Sequence, residues 1–186
     1  MSNTLGLDIS TTRIGIAVLD SDDNLIHSDV IKFKSELPLE DRAAIFESIM
    51  RKVNTKYIPF YVFIEKPAIN FRSGSTAHVM AKLQRFNGMC SYACRKVFKE
   101  NPELIDVRSA RRTLGIKIPR GKGTKSQAKR VVIEYVEKKY DSFEYNLTYK
   151  GNPQPGTDDR ADAVVIALGG IKIFEENTWQ RSAYKV

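Results

Sequence analysis

The sequence predicts an α/β fold in which three antiparallel strands, followed by parallel strands, form one five-stranded mixed sheet flanked by helices. Three short apolar segments with polar turns between them open the chain, and helix-like and strand-like segments alternate after them. The length of 186 residues suits one domain with a sizeable core. Hydrophobic residues make up 42% of the chain and charged residues 28%, which is typical of a folded globular protein.

The first part of the chain predicts an antiparallel meander. Its strands are predicted at Thr4–Ile9, Ile14–Asp20 and Leu25–Phe33. Polar turns at Ser10–Arg13 and Ser21–Asn24 separate these strands. Leu39–Tyr57 has apolar residues at helical spacing, and the continuous apolar run Phe60–Glu65 is typical of a buried central strand.

The second part of the chain predicts helices around one short strand. The helices are predicted over Ser75–Phe98, Ser126–Tyr140 and about Asp158–Glu175, and the strand over Leu104–Val107. We expect residues 1–186 to form a single domain, in which about 176–186 is a C-terminal extension.

The positive charge of the chain is concentrated in one segment. The 30 Lys and Arg residues outnumber the 22 Asp and Glu residues, for a net charge of +8. Residues 108–140 hold eleven basic and two acidic side chains, a local charge of +9, so the rest of the chain carries −1. Such a segment indicates a polyanionic partner, most simply nucleic acid, although a solvated helix surface has the same composition.

Several classes of protein are excluded by the same composition. No apolar run approaches the roughly 20 residues of a membrane span, so we expect no membrane partner. The start of the chain lacks the features of a secretory signal, and Cys90 and Cys94 are expected to be reduced thiols. The expected location is the cytoplasm of a bacterium or of a virus-infected host cell, with an organellar matrix as the alternative.

Acidic residues interrupt apolar segments at three separate places. Asp8 lies within the first strand, Glu65 ends the buried strand, and Asp162 opens the apolar run of the last helix with Asp159 on the same helical face. Each acid alone has an ordinary explanation as a strand-end residue, a salt-bridge partner or a helix cap. Together, in a chain with a basic segment, they predict a carboxylate cluster that holds Mg²⁺, because hard divalent cations prefer oxygen ligands.

These residues resemble the RuvC family of Holliday junction resolvases, which has the RNase H-like fold. The similar segments are Leu5–Asp8 with Ile14–Ala17, Phe63–Glu65, Leu83–Gly88, Lys125–Gln127 and Asp159–Ala163. They follow one another in order from Leu5 to about Phe174, nearly the whole chain. The turn Ile9–Thr12 departs from the Pro-Gly of many cellular bacterial members, which fits a viral or phage-type branch as well as a cellular one.

The resemblance implies a magnesium-dependent endodeoxyribonuclease that resolves four-way DNA junctions by paired symmetric nicks. It implies hydrolysis with two Mg²⁺ ions per site, for which Mn²⁺ would substitute. The implied ligands are Asp8, Glu65, Asp159 and Asp162. Lys125 is implied as a further catalytic residue that contacts the scissile region or stabilises developing charge, and Asp158 competes with Asp159 for the metal position. Family members act as homodimers, so four-way or branched DNA and a second copy of the chain are the expected partners.

Further residues are predicted to bind DNA. In the family, an aromatic residue in the loop after the second acid stacks or wedges between bases; Phe71 or its rival Ile69 would do so here, and packing on the core is the ordinary alternative. The predicted phosphate contacts are Arg72, Arg85, Arg111, Arg112, Arg120, Lys122 and Lys129.

Three other functions compete with junction resolution. An RNase H-like nuclease that cuts flaps, other branched DNA or RNA–DNA hybrids would use the same acids. A non-catalytic DNA-binding protein would explain the charge but not the four acids. Actin-like sugar kinases have a first phosphate motif similar to Gly6–Thr12, but they enclose a nucleotide between two domains, and this chain supplies one.

Overall fold

Five strands form a single mixed sheet at the centre of the structure. The computed structural model describes residues 2–67, 76–119 and 125–183, without the side chains of Lys125 and of residues 179–183. The strands are β1 (Asn3–Ile9), β2 (Arg13–Leu19), β3 (Leu25–Lys32), β4 (Pro59–Glu65) and β5 (Glu103–Ile105). Their order across the sheet is β3-β2-β1-β4-β5, with β1, β2 and β3 antiparallel and β4 parallel to both β1 and β5. The mixed sheet predicted from the sequence is confirmed.

Helices cover both faces of this sheet. They are α1 (Leu39–Tyr57), α2 (Ala77–Phe98), α3 (Val107–Thr113), α4 (Lys125–Lys139) and α5 (Thr157–Ala183). α1 and α2 pack against each other on one face, over a core that includes Leu5, Phe46 and Phe86. α5 lies on the other face against β1 and β2, and α3 and α4 pack against α5. None of the helices in the described ranges is long and apolar enough to cross a membrane.

Side chains alternate between the two faces of the sheet along each strand, so the position of a residue determines which helices it faces. In β1, Leu5, Leu7 and Ile9 belong to the core under α1 and α2, so Gly6 and Asp8 face α5. The same rule turns Glu65 of β4 towards α5, because Val62 and Ile64 belong to the opposite core. Both strand acids are therefore on the α5 face of the sheet.

Two glycines allow α5 to lie directly on the strands. A Cβ at Gly6 would overlap the carbonyl oxygen of Ala163, and a Cβ at Gly15 would overlap the carbonyl oxygen of Asp159. Since no side chain separates the helix from the sheet at these points, the first turns of α5 reach the strand end that carries Asp8. Here glycine provides close approach of one backbone to another.

Three elements differ from the sequence prediction: β5 is shorter, α3 was not predicted, and α5 is longer. The strand predicted at Leu104–Val107 is shorter, at Glu103–Ile105, and α3 follows it at once because the Asp106 carboxylate accepts a hydrogen bond of 2.8 Å from the Ser109 backbone N–H as a helix cap. The last helix continues past Glu175 to Ala183, since this stretch holds no glycine or proline to end it.

Candidate active site

Asp8 and Glu65 meet at the ends of two neighbouring parallel strands. The register pairs Leu7 with Ile64, so the next residues, Asp8 and Glu65, lie side by side, and both are partly buried. Burial raises the pKa of Asp8 well above its usual value, and the charge of Glu65 and a hydrogen bond with its carboxyl group raise it further. This strand end therefore holds more negative charge than its surroundings neutralise.

The first turns of α5 add two more acids at the same place. The charges of Asp162 and Asp159 both contribute to the raised pKa of Asp8. Burial also raises the pKa of Asp162 against the opposing charge of Arg111, with a further contribution from Glu65. The four acids singled out in the sequence, from β1, β4 and α5, thus lie near enough for the charge of Glu65, Asp159 and Asp162 to act on Asp8.

Three basic side chains pair with the acids at the start of α5. Arg13 Nε lies 2.8 Å from Asp159 Oδ2, and Arg111 Nη2 donates to Asp162 Oδ1 at 2.6 Å. Lys129 on α4 donates to the Asp158 carboxylate. Each base comes from a different element, β2, α3 or α4, so the three ion pairs surround the N-terminal turns of α5.

The ion pairs distinguish Asp158 from Asp159. Burial would raise the pKa of Asp158, but the hydrogen bond and charge of Lys129 outweigh it and the pKa is lowered. The pKa of Asp159 is raised, first by burial and then by the charge of Asp158, although Arg13 and Lys129 oppose the change. Asp158 is therefore held by α4, whereas Asp159 lies over Gly15, which is paired with Asp8.

The capacity of these residues to hold a metal depends on the ion pairs. Within the described ranges, no three Asp, Glu, His or Cys side chains lie close enough together to hold a metal ion. Instead, Arg13 forms an ion pair with Asp159, and Arg111 forms one with Asp162. The donor set nonetheless has the chemistry that a hard divalent cation prefers, because it consists of carboxylate oxygens, and burial raises the pKa of Asp8, Asp159 and Asp162.

Two residues near the acids were not identified from the sequence. Arg13 begins β2, where a single basic residue is unremarkable, and its contact with Asp159 depends on the packing of α5. Asn87 is 4% exposed in α2, and its Nδ2 donates to the Glu65 backbone carbonyl at 3.1 Å. The signal for Asn87 was a polar residue next to the buried Phe86 in an otherwise apolar helical stripe.

The predicted DNA-binding residues divide into two groups. Arg111 is half-buried against Asp162, Arg112 is exposed on α3, and Lys129 is exposed beside Asp158. Arg85 is exposed on α2 and pairs with Glu40 of α1. The remaining predictions, Phe71, Ile69, Arg72, Arg120, Lys122 and the side chain of Lys125, lie outside the described part of the chain. Lys125 is the first residue of α4.

Comparison with known proteins gives a likeness in structure only. No family model matches the chain, and no curated protein sequence matches it. A structure of Thermus thermophilus RuvC in complex with a Holliday junction substrate is 17% identical, with a TM-score of 0.66, over 96% of this chain and 98% of that chain. A second structure of Thermus thermophilus RuvC is 18% identical, with a TM-score of 0.63, over 95% of this chain and 97% of that chain. A fowlpox virus resolvase in complex with Holliday junction DNA is 16% identical over 91% of this chain and 97% of that chain, with a TM-score of 0.47.

The likeness to RuvC concerns the fold of nearly the whole chain. At this level of identity it shows that the chain has the RNase H-like fold of RuvC, which confirms the predicted fold class.

Proposed function

We propose that this protein is a metal-dependent endodeoxyribonuclease that resolves four-way DNA junctions by paired symmetric nicks. The observation that carries the proposal is the placement of Asp8, Glu65, Asp159 and Asp162 near one end of the sheet, where burial first, and then the charge of neighbouring acids, raises the pKa of Asp8, Asp159 and Asp162. Asp159 and Asp162 have basic partners, whereas Asp8 and Glu65 have none within the described residues, and a bound cation would compensate their charge. The likeness in fold to RuvC, which was solved with a Holliday junction substrate, supports the choice of DNA substrate.

The four acids would hold two Mg²⁺ ions, for which Mn²⁺ would substitute. When bound, the cations supply Lewis-acid activation of water and stabilise charge on the phosphodiester. Asp8 and Glu65 provide the two ligands fixed by the sheet, and Asp159 and Asp162 provide those fixed by α5. Asn87 keeps the end of β4 in place through the Glu65 carbonyl, so the Glu65 carboxylate stays beside Asp8.

The basic residues around the acids would bind the phosphate backbone. Arg111 and Arg112 lie on α3, which packs against α5, and Lys129 lies on α4 on another side of the same helix turns. Lys125, at the start of α4, is proposed to stabilise charge developing at the scissile phosphate. Two such sites in a homodimer would allow opposing strands of a junction to be nicked symmetrically.

The proposal is tested with an end-labelled, immobile four-way junction and a linear duplex of matched sequence. With Mg²⁺ we expect symmetric nicks near the crossover that ligase can rejoin, and with EDTA we expect no cleavage. Cleavage of flaps or RNA–DNA hybrids in place of junctions would replace the proposed substrate and keep the metal-dependent nuclease. Asp8→Asn should abolish cleavage while retaining junction binding, since it removes negative charge that faces the phosphates.

One observation favours a second function, a DNA-binding protein without catalysis. The ion pairs of Asp158, Asp159 and Asp162 neutralise the α5 acids within the chain, as expected of acids with a structural role. Such a protein would bind junctions equally well with Mg²⁺ and with EDTA and would cut nothing. Binding of Mn²⁺ to the free protein, measured by electron paramagnetic resonance, would contradict this second function, particularly if Asp8→Asn abolished it.

A further inference from the structure

Arg13 occupies a position from which it can reach both the acids and a bound nucleic acid. It is the first residue of β2, opposite Lys32 of β3, on the strand face that carries Gly15 and turns towards α5. Its backbone is fixed by Ser10, whose Oγ accepts from the Arg13 N–H at 3.0 Å and donates to the Arg13 carbonyl at 2.8 Å. The side chain remains about one-third exposed, so only the backbone is firmly held.

The contact between Arg13 and Asp159 leaves hydrogen-bonding capacity unused. Arg13 Nε and Asp159 Oδ2 are 2.8 Å apart, yet neither buried atom has an aligned hydrogen bond within the described residues. A well-formed arginine–carboxylate pair makes two parallel hydrogen bonds. Arg42 shows the contrast, because its guanidinium donates to the backbone carbonyls of Thr11, Ser35 and Leu37. The Arg13–Asp159 pair is therefore a charge contact that a better partner for either group can replace.

The surroundings of Asp159 favour such a replacement. Its side chain is only 13% exposed, and the neighbouring Asp158 pairs with Lys129. A divalent cation would compensate this carboxylate more fully than one misaligned guanidinium. Its binding would leave Arg13 with buried donor capacity and a free positive charge.

The groups next to Arg13 indicate what the released side chain would bind. Lys32 is its register partner, and Lys129 pairs with Asp158, the neighbour of the Asp159 that Arg13 contacts. Arg13, Lys32 and Lys129 thus form a basic group on the β2–β3 side of the acids, whereas Arg111 and Arg112 lie on α3. A strand whose phosphate lies at the acids would carry its next phosphates towards these two basic groups.

We propose that Arg13 is a phosphate-binding residue on the β2–β3 side of the acids, and that Asp159 holds its guanidinium until a divalent cation takes over the carboxylate. This inference rests on the proposed function for its nucleic-acid substrate.

The first test measures Mn²⁺ binding to the free protein by electron paramagnetic resonance, without DNA. Arg13→Gln removes the competitor for Asp159, so Mn²⁺ should bind about twofold to fivefold more tightly. Arg51→Gln is the matched control, because it removes one positive charge from an exposed ion pair with Glu47 on α1 and should leave Mn²⁺ binding unchanged. Weaker Mn²⁺ binding in Arg13→Gln would overturn the proposal, since Arg13 would then position Asp159 as a ligand.

The second test measures junction affinity in Ca²⁺, as a cation that does not support cleavage, and in EDTA. In Ca²⁺, Arg13→Gln should weaken binding about tenfold and lower the log–log salt slope by about 0.9, and Arg13→Lys should restore most of the affinity. In EDTA the parent and Arg13→Gln should bind equally, because Asp159 holds the arginine. Equal losses in Ca²⁺ and EDTA, or no loss in either, would overturn the proposal.

Failure of the proposed function has a separate signature. If the parent neither prefers nor cuts junctions, that function fails. The same Ca²⁺ and EDTA comparison on linear duplex, together with Mn²⁺ binding, then still confirms or overturns the exchange at Arg13.

Discussion

Arg42 and Arg13 lie near the same turn after Asp8, and their guanidinium groups are satisfied in opposite ways. Arg42 is 3% exposed and donates to three backbone carbonyls, at 2.7 Å to Ser35, at 2.9 Å to Leu37 and to Thr11. Arg13 is partly exposed, faces a carboxylate and has a buried Nε without a hydrogen bond. A basic residue near a group of acids can therefore be part of the scaffold or a ligand-binding group, and the number of satisfied donors distinguishes the two.

The largest expected effect is on the rate of cleavage, and it tests whether Asp8 belongs to a catalytic site. Asp8→Asn should lower the rate of Mg²⁺-dependent junction cleavage about a thousandfold or more, because metal-assisted hydrolysis depends on several kcal/mol of charge stabilisation. The rate is measured under single-turnover conditions with saturating protein. Asp41→Asn, on the exposed first turn of α1, is the control and should cut at the parental rate. Equal cleavage rates for Asp8→Asn and the parent would show that Asp8 is not part of the catalytic site.

The next effect concerns the close approach of α5 to the sheet. Gly15→Ala should destabilise the fold by about 3 kcal/mol or more, because the new Cβ would overlap the backbone of Asp159 and push the helix away. Urea unfolding followed by circular dichroism gives the free energy of unfolding. Gly88→Ala in α2 is the matched control: nothing lies within 4 Å of its added Cβ, so it should stabilise the helix by about 0.5–1 kcal/mol. Similar values for the two variants would contradict the close helix–sheet contact.

The two arginines should differ in their effect on stability. Arg42→Gln should lower the free energy of unfolding by about 3 kcal/mol, since it leaves carbonyls of two loops without their charged donor. Arg13→Gln should lower it by less than about 1 kcal/mol, as expected of a partly exposed ion pair. The same urea experiment measures both variants. A larger loss in Arg13→Gln than in Arg42→Gln would reverse the roles assigned to them.

The smallest expected effect is the pH dependence of stability without divalent cations. The pKa of Asp8 is raised on folding, so the folded protein binds this proton more tightly than the unfolded chain. The stability that Asp8 contributes is therefore lost as the pH rises from about 4, the unfolded value, through the raised pKa. Asp8→Asn should unfold at a higher urea concentration than the parent at pH 7, and the difference should shrink towards pH 4. A difference that grows on acidification would contradict the sign of this shift.

Most of the fold and the four acids could be predicted from the sequence because their signals are local. Asp8 and Glu65 end apolar strands, and Asp159 and Asp162 precede the apolar run of α5. The α5 ion pair of Arg13 could not be predicted, because it joins residues 13 and 159 through a helix–sheet contact that Gly15 permits. α3 was missed because its cap, Asp106, directly follows a strand of three residues.

Because α5 is buried after its first turn, backbone motion and side-chain motion at the candidate site are expected on different timescales. Its first turn carries Asp158 and Asp159, and the following turns, from Ala163 to Leu168, are completely buried in the core. Backbone amides in such a helix open to hydrogen exchange only when a large part of the fold opens with them. The side chains of Arg13 and Lys129 are partly exposed, and rotamer changes of exposed side chains take picoseconds to nanoseconds. Rearrangement of the site around a ligand is thus expected to be fast and confined to side chains, on a backbone that is as slow to move as the core itself.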